Sequence, residues 1–160
     1  MDADEVTGQD SAATFGLIRT TWTSIKAFLK TYFDGLYLAK GNEVYSFAIS
    51  DETTSLTTVT TKITVHWPYN FTLASVFIGV NTGPTVTTLV IDIRDNSGNT
   101  IFSTKPTILV NELTSLTKGT QPVLVTTSFT KGQKLTVNID QVGSTIAGKG
   151  LKIYMIGTKS

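Results

Sequence analysis

The pattern of apolar and polar positions divides the chain into three stretches. Residues 1–20 are polar, with four acidic residues among the first ten, and read as an extended arm. Between residues 21 and 35 the apolar residues recur at helical spacing. From residue 43 onward the period falls to two, which is typical of half-buried β-strands. The pattern therefore predicts an arm, one short helix and a β domain.

The helix is predicted between Thr21, a suitable N-cap, and Gly35, a suitable stop. Its apolar residues follow one another at spacings of 3, 3, 1, 3, 1 and 3, which makes one wide aromatic stripe. The stripe consists of Trp22, Ile25, Phe28, Leu29, Tyr32, Phe33 and Leu36. Either the helix packs on its own domain, or the stripe meets its copies around a symmetry axis. We favour the second, because the stripe has more large side chains than so short a helix needs.

The alternation after residue 43 indicates antiparallel strands with one solvent-exposed face. From Val59 to Trp67, for example, apolar residues alternate with threonines, Lys62 and His66. Turn signals separate eight or nine strands, at about residues 43–49, 57–67, 71–80, 86–94, 100–104, 108–113, 122–129, 134–140 and 151–157. Such a mostly β chain predicts a sandwich or barrel, and the long crossings favour an antiparallel jelly-roll-like sandwich.

One segment departs from the alternation, because Phe71 to Val80 is apolar on both faces. Period two places Leu73 and Phe77 on one face and Ala74, Val76, Ile78 and Val80 on the other. Either this is a central strand covered on both sides, or its outer face is an oligomer interface. Leu73 and Phe77 are therefore candidate interface residues.

The amino-acid composition argues against several classes of function. The 160 residues suit one main domain, and only 16% are charged although threonine occurs 30 times. Thirteen basic and 12 acidic residues leave a net charge of +1, which argues against binding nucleic acid through its phosphates. Without cysteine and with a single histidine, most zinc sites and all cysteine nucleophiles are excluded. The acidic start is unlike a secretory signal and no apolar run could span a bilayer, so we expect synthesis in a cytoplasm without membrane insertion.

Two loops approach known binding motifs without completing them. Residues 143–150 nearly spell a phosphate-binding loop, but Gly150 stands where Ser or Thr is required and a strand follows instead of a helix. We interpret them as a glycine-rich hairpin loop. The stretch from Asp95 to Asn99 has oxygen ligands like a calcium loop, yet it lacks the required glycine and glutamate. It is better interpreted as a hairpin turn with Gly98 at positive φ, and a weak calcium site with Asp92 or Asp140 stays open.

The remaining polar and aromatic candidates do not assemble a catalytic site. His66 lies on a wet strand face, and nothing in the sequence context pairs two carboxylates among Asp92, Asp95, Glu112 and Asp140. We interpret these acids as solvated turn and strand-edge residues, and we predict no catalytic, cofactor-binding or metal-binding residues. Four aromatic residues could stack on sugar rings: Trp67, Tyr69, Phe71 and Tyr154. Of these, Trp67 and Phe71 are expected to fill the core or an interface instead.

Two regions resemble structural proteins of tailed-bacteriophage virions. Residues 3–37, with DEVTG at 4–8 and TWTSIKAFLKTYFDGLY at 21–37, resemble a segment common in tail-fibre proteins that joins an upstream part to a downstream head. From Phe71 to Gly157 the chain resembles a β module of phage structural proteins. This second likeness is carried by SVFIG at 75–79, IFSTKPTI at 101–108, DQVGS at 140–144 and AGKGLKIY at 147–154.

The resemblance implies a non-enzymatic virion protein without cofactors, made in the host cytoplasm. Residues 1–40 would form an attachment arm and trimerisation helix, and residues 41–160 a jelly-roll head. The expected partners are the chain itself in a homotrimer, another phage structural protein bound through residues 1–20, and a host-surface glycan. The turn residues Asp95, Asn96, Ser97 and Asn99 are candidate receptor contacts. A tail fibre is preferred, and the alternatives are a capsid decoration or head-fibre protein and a glycan-binding module of a carbohydrate-active enzyme.

Overall fold

The computed structural model describes residues 5–9, 17–36 and 43–159, and for 5–9, 17–20 and 34–36 it describes the backbone alone. The chain divides into two compact units, Met1–Gly41 and Asn42–Ser160. The boundary predicted from the sequence lies between residues 40 and 41. Each unit is described by itself.

The first unit consists of a hairpin followed directly by a helix. Strand β1 (Glu5–Gln9) pairs antiparallel with β2 (Leu17–Thr21), and the helix α1 runs from Trp22 to Leu36. Thr21 caps the helix as predicted, since its Oγ1 accepts a hydrogen bond of 3.2 Å from the Ser24 N–H. The helix extends one residue beyond Gly35. In its described part, the predicted extended arm is thus two paired strands.

The second unit contains two four-stranded antiparallel sheets. Its strands are β3 (Glu43–Ala48), β4 (Val59–His66), β5 (Phe71–Gly79), β6 (Leu89–Arg94), β7 (Phe102–Thr104), β8 (Thr107–Ile108), β9 (Val123–Leu124), β10 (Ser128–Phe129), β11 (Lys134–Gln141) and β12 (Lys152–Lys159). The order is β10-β5-β12-β3 in the first sheet and β4-β11-β6-β8 in the second, while β7 pairs with β9 alone. Apart from the step from β6 to β8, each successive strand of these sheets lies in the opposite sheet. This crossing pattern is a jelly roll, which confirms the predicted fold class.

Two predicted strands are shorter than the alternation indicated. The predicted strand 108–113 ends at Ile108, because Asn111 takes a left-handed backbone conformation (φ 64°) and a 3₁₀ helix follows at Ser115–Thr117. The predicted strand 122–129 is divided into β9 and β10. The glycine-rich stretch 143–150 also differs from the hairpin loop that was predicted, since it connects strands of opposite sheets.

One core lies between the two sheets and explains the period of two. The alternate residues Leu89, Ile91 and Ile93 of β6 are fully buried, as are Leu135 and Val137 of β11. The first sheet contributes buried residues from β5 and β12 to the same cluster. At one end, the indole of Trp67 stacks on the rings of two other buried residues, Phe71 at 4.8 Å and Phe129 at 5.0 Å. Trp67 and Phe71 therefore fill the core, as expected for both.

A β-bulge changes which residues of β5 face the core. Ile156 of β12 lies opposite Ser75, but the next residue, Gly157, lies opposite Leu73, so Ala74 is an extra residue in β5. Because the extra residue reverses the alternation, Leu73 faces the core and Phe77 faces outward. The prediction that these two share one face is wrong. Leu73 is a core residue, and of the two only Phe77 lies on the outer surface.

Gly157 provides the close backbone approach that this bulge needs. A Cβ atom at this position would lie 2.1 Å from the carbonyl oxygen of Thr72 and 2.8 Å from the ring of Phe71. The first of these neighbours is backbone, so it cannot move aside without disturbing the pairing of β5 with β12.

Replacement of Gly157 by alanine is expected to lower the free energy of unfolding by at least about 2 kcal/mol, because the added methyl group overpacks the bulge. The matched control is Gly119→Ala, at a position where a Cβ would meet nothing within 4 Å. That variant should unfold at an unchanged or slightly higher urea concentration. Equal urea midpoints for the two variants would contradict this account of the bulge.

Candidate interaction surfaces

The aromatic stripe of α1 is exposed in the single chain. Phe28 is 68% exposed and Tyr32 is 53% exposed, and Trp22, Leu29 and Phe33 are also exposed. Ile25 is half-buried, and the side chain of Leu36 lies outside the described residues. The rings of Phe28 and Tyr32 stack on each other with centroids 6.2 Å apart. The single chain thus presents large apolar rings to solvent, which favours an interaction surface.

A second surface lies on the outer face of the first sheet. The register of β3, β12 and β5 places nine outward-facing residues in three cross-strand rows: Ala48, Lys152 and Gly79; Ser46, Tyr154 and Phe77; Val44, Ile156 and Ser75. Only one of the nine is charged, and its ammonium is paired with Glu52. We call these nine residues the outer grid.

The centre of the outer grid is a stack of two aromatic rings. The centroids of Phe77 and Tyr154 are 4.4 Å apart and their planes differ by 7°. Small residues (Ser46, Ser75 and Gly79) lie beside the pair in β3 and β5. A shallow depression of about 230 Å³ lies beside Tyr154. A flat apolar centre with small neighbours allows another protein surface to approach closely, so the outer grid is a candidate interface.

The turn Asp95–Asn99 is exposed, and hydrogen bonds within it hold its hairpin conformation. Oδ1 of Asp95 accepts hydrogen bonds of 2.9 Å from the backbone N–H groups of Ser97 and Asn99. Gly98 has φ 84°, which confirms the predicted positive φ. The Asp95 carboxylate is therefore used within the turn, and the exposed side chains left for a receptor are those of Asn96, Ser97 and Asn99.

The prediction that Asp92 is solvated is wrong, because its side chain is fully buried on the outer side of the second sheet. Its carboxylate accepts hydrogen bonds from the Thr100 hydroxyl and from Nε of Arg94 at 3.2 Å, and it pairs with the Lys105 ammonium at 3.2 Å. The same ammonium lies 2.7 Å from Asp140. The segment 100–105 thus closes over β6 and supplies the partners that a buried charge requires.

This cluster fastens residues 100–105 to the second sheet. Asp92 and Asp140 share one bound ammonium, so the structure brings together two of the acids that the sequence context did not pair. Hydrogen bonding to Asp140, helped by Asp92, raises the pKa of the Lys105 ammonium above its ordinary value. Sequence reasoning missed the cluster because Asp92 occupies an outward position of an alternating strand. The only signal was an acid in the middle of a strongly apolar run.

The other sequence candidates also have structural explanations. The backbone N–H groups of Ser144 and Lys149 in the glycine-rich loop bind the carbonyls of Thr85 and Thr82, so they are not available to a phosphate. His66, the last residue of β4, is exposed, as predicted. Of the four candidate sugar-stacking residues, only Tyr69 and Tyr154 reach the surface, and both are half-buried. Among the described residues, no three acidic or histidine side chains cluster so as to hold a metal ion.

Comparison of the chain with family models, with curated proteins and with solved structures gave no match. In the part of the chain that the structure describes, no helix is both long enough and apolar enough to cross a bilayer. The surfaces must therefore be interpreted from their own chemistry.

Replacement of Lys105 by methionine is expected to lower the free energy of unfolding by about 1–2 kcal/mol at neutral pH, because buried Asp92 loses one of its charged partners. The raised pKa means that this stabilisation is complete below about pH 10.5, the ordinary value, and is lost as the pH rises through the higher pKa of the folded protein. Urea unfolding of both proteins from pH 7 to 12 should therefore show a difference that disappears at the alkaline end.

The matched control is Lys62→Met, since Lys62 is an exposed lysine on the edge strand β4 of the same sheet and lies outside the outer grid. We expect a loss of less than about 0.5 kcal/mol for this variant. If both methionine variants were equally stable at neutral pH, the buried position of Asp92 would not matter and the account would be wrong.

Proposed function

We propose that this protein is a non-enzymatic structural protein of a tailed-phage virion. It is a homotrimer whose N-terminal segment docks on another virion protein and whose jelly-roll head contacts the host surface. The observation that carries the proposal is the exposed aromatic stripe of α1, with Phe28 68% exposed. The likeness of residues 3–37 to tail-fibre segments and the jelly-roll fold of the second unit support it.

The stripe has the geometry expected for contact with two neighbouring helices. Trp22, Ile25, Leu29, Tyr32 and Leu36 occupy the a and d positions of a heptad, at alternating spacings of three and four. Phe28 and Phe33 fall on either side of this seam and widen it. A seam that is apolar on both flanks can bury its sides only against two partners, as around a threefold axis. A helix of 15 residues is marginal alone, so such contacts would also stabilise it.

The outer grid is the second contact expected in the trimer. In a trimer a residue meets its own copies only near the threefold axis, and a surface there that is rich in like charges would repel its copies. The outer grid has one charged residue, Lys152, which is already paired within its own chain. Its Phe77–Tyr154 stack would supply the apolar centre of the contact.

The trimer predicts a species near three times the 17.3 kDa chain mass in sedimentation equilibrium at micromolar concentration. The double variant Phe28→Ser, Tyr32→Ser should shift the protein toward monomer by at least about tenfold in dissociation constant, since both rings lose their burial. Phe77→Ser should weaken the trimer in the same direction.

The control for the helix is Ala27→Ser, at an exposed position on the face opposite the seam, which should leave the mass unchanged. Circular dichroism of the β signal verifies that every variant is folded. A wild-type protein that sediments as a monomer would exclude the trimer. If it also bound sugars, the glycan-binding module would be favoured, although the burial of Trp67 and Phe71 removes half of the aromatic residues that such a platform would use.

Antibody labelling of intact particles tests the position of the protein in the virion. The tail-fibre proposal predicts label confined to the tail, where the N-terminal segment would dock. Label spread over the head shell would show that the capsid decoration or head-fibre alternative is correct. Absence of label from purified particles, with antibody shown to bind the native protein, would contradict a virion role altogether.

A further inference from the structure

A row of outward-facing polar residues lies along one edge of the second sheet. In β4 these outward positions alternate with Ile63 and Val65, which pack against the core. Two residues of the neighbouring strand β11 lie directly beside them, since Lys134 is opposite His66 and Thr136 is opposite Thr64. Four of the five side chains are exposed and that of Thr136 is half-buried. We call this set the polar strip, and it consists of Lys62, Thr64, His66, Lys134 and Thr136.

The polar strip has positive charge without a counter-charge. Among the described residues, neither Lys62 nor Lys134 forms an ion pair. The two carboxylates of the same face, those of Asp92 and Asp140, are both bound by Lys105. They are therefore not available to the lysines of the strip. An anionic ligand would supply the missing counter-charge, and the strip would attract it from solution.

Hydroxyl groups and a groove accompany these charges. Thr64 and Thr136 form a cross-strand pair that lies between the two lysines of the strip. At the start of β4, an open groove of about 390 Å³ is lined in large part by polar side chains, those of Thr58, Thr60 and Asp140. Hydroxyl and carboxylate oxygens are the partners that sugar hydroxyl groups use, since a sugar hydroxyl both donates and accepts hydrogen bonds.

The chemistry of the polar strip indicates the class of ligand. None of its five residues is aliphatic, so the strip lacks the apolar centre of a protein–protein contact. A neutral sugar would use the hydroxyls but would leave the ammonium groups without a partner. A polyanion such as duplex DNA would use the ammonium groups alone. A polymer of acidic sugars uses both, because each of its rings offers hydroxyls and an anionic group.

The proposed trimer leaves this surface accessible. The two sheets enclose the core between them, so the outer face of the second sheet points away from the outer grid on the first. Contact between copies through the outer grid would therefore not cover the polar strip. The turn Asp95–Asn99 follows Arg94, which lies opposite Thr136, so the candidate receptor contacts of the turn lie close to the strip.

We infer that the polar strip binds an acidic polysaccharide of the host surface. Its anionic groups would pair with Lys62 and Lys134, while sugar hydroxyls would bind Thr64, Thr136 and the groove. This inference rests on the proposed function and extends the receptor contact from the turn Asp95–Asn99 to the sheet beside it. A trimer carries three strips, so weak contacts to one polymer would add up to firm attachment.

The test measures binding of the purified 160-residue protein to immobilised polygalacturonate and polysialate, two acidic polysaccharides, by biolayer interferometry. The protein should bind at least one of them and should not bind dextran, which is neutral. The double variant Lys62→Gln, Lys134→Gln should bind at least about tenfold more weakly, because two charged contacts are lost at each of three strips. Addition of NaCl to about 0.5 M should also weaken binding, since salt screens exposed charges.

The matched control is Lys118→Gln, which should leave binding unchanged. Lys118 follows the 3₁₀ helix, which packs beside β8 at the opposite edge of the second sheet. A second double variant, Thr64→Val, Thr136→Val, keeps the charge and the side-chain shape but removes both hydroxyls. We expect it to bind severalfold more weakly, because the sugar hydroxyls lose their partners.

Undiminished binding of the lysine double variant would overturn the site. Undiminished binding of the valine double variant, or equal affinity for duplex DNA, would overturn the polysaccharide as its ligand. Sedimentation of the same samples tests the proposed trimer separately. A wild-type trimer that bound neither acidic polysaccharide would contradict this inference alone, whereas a monomer that bound one of them would support the site and contradict the trimer.

Discussion

Burial of the inner faces of the two sheets against each other is the constraint on which the rest of the head depends. Leu89, Ile91 and Ile93 of one sheet and Ile78 and Ile153 of the other are fully enclosed. In this fold all but one of the connections between successive strands of the two sheets cross from one sheet to the other. The crossing loops therefore gather at the two ends of the sandwich. The chain enters the head at one of these ends, and loops lie at both. The same arrangement leaves the outer faces of the sheets, including the outer grid proposed for assembly, at the surface.

Within that constraint, one inserted residue determines the outer surface of the first sheet. If β5 alternated without interruption, Leu73 and Phe77 would face the same way. The bulge at Ala74 lets Leu73 join the core and turns Phe77 outward onto Tyr154, and Gly157 makes it possible by leaving room for the neighbouring backbone. The aromatic stack at the centre of the outer grid thus follows from a local irregularity.

The outer face of the second sheet differs from that of the first because it contains a buried charge. A carboxylate is buried there, and it is tolerated because Arg94, Thr100 and Lys105 converge on it. Lys105 arrives on a segment that leaves the sheet after β6 and folds back over it, so the ion pairs fasten this segment to the strands. One sheet therefore has a nearly neutral outer face suited to contact with copies of the chain. On the other sheet, residues 100–105 cover the part of the outer face around Asp92, while the outward residues of β4 stay exposed.

Sequence patterns were enough to predict the jelly-roll class, the position of most strands, the cap at Thr21 and the aromatic stripe, because periodicity and capping are local and leave their pattern in neighbouring residues. It could not place the bulge at Ala74, since an alternating strand with one extra residue reads as a strand that is apolar on both faces. It could not foresee the burial of Asp92, whose partners arrive from residues 94 to 105. Nor could it tell which loops share an end. These features become visible only in the folded chain, because each depends on pairing between residues that are distant in the sequence.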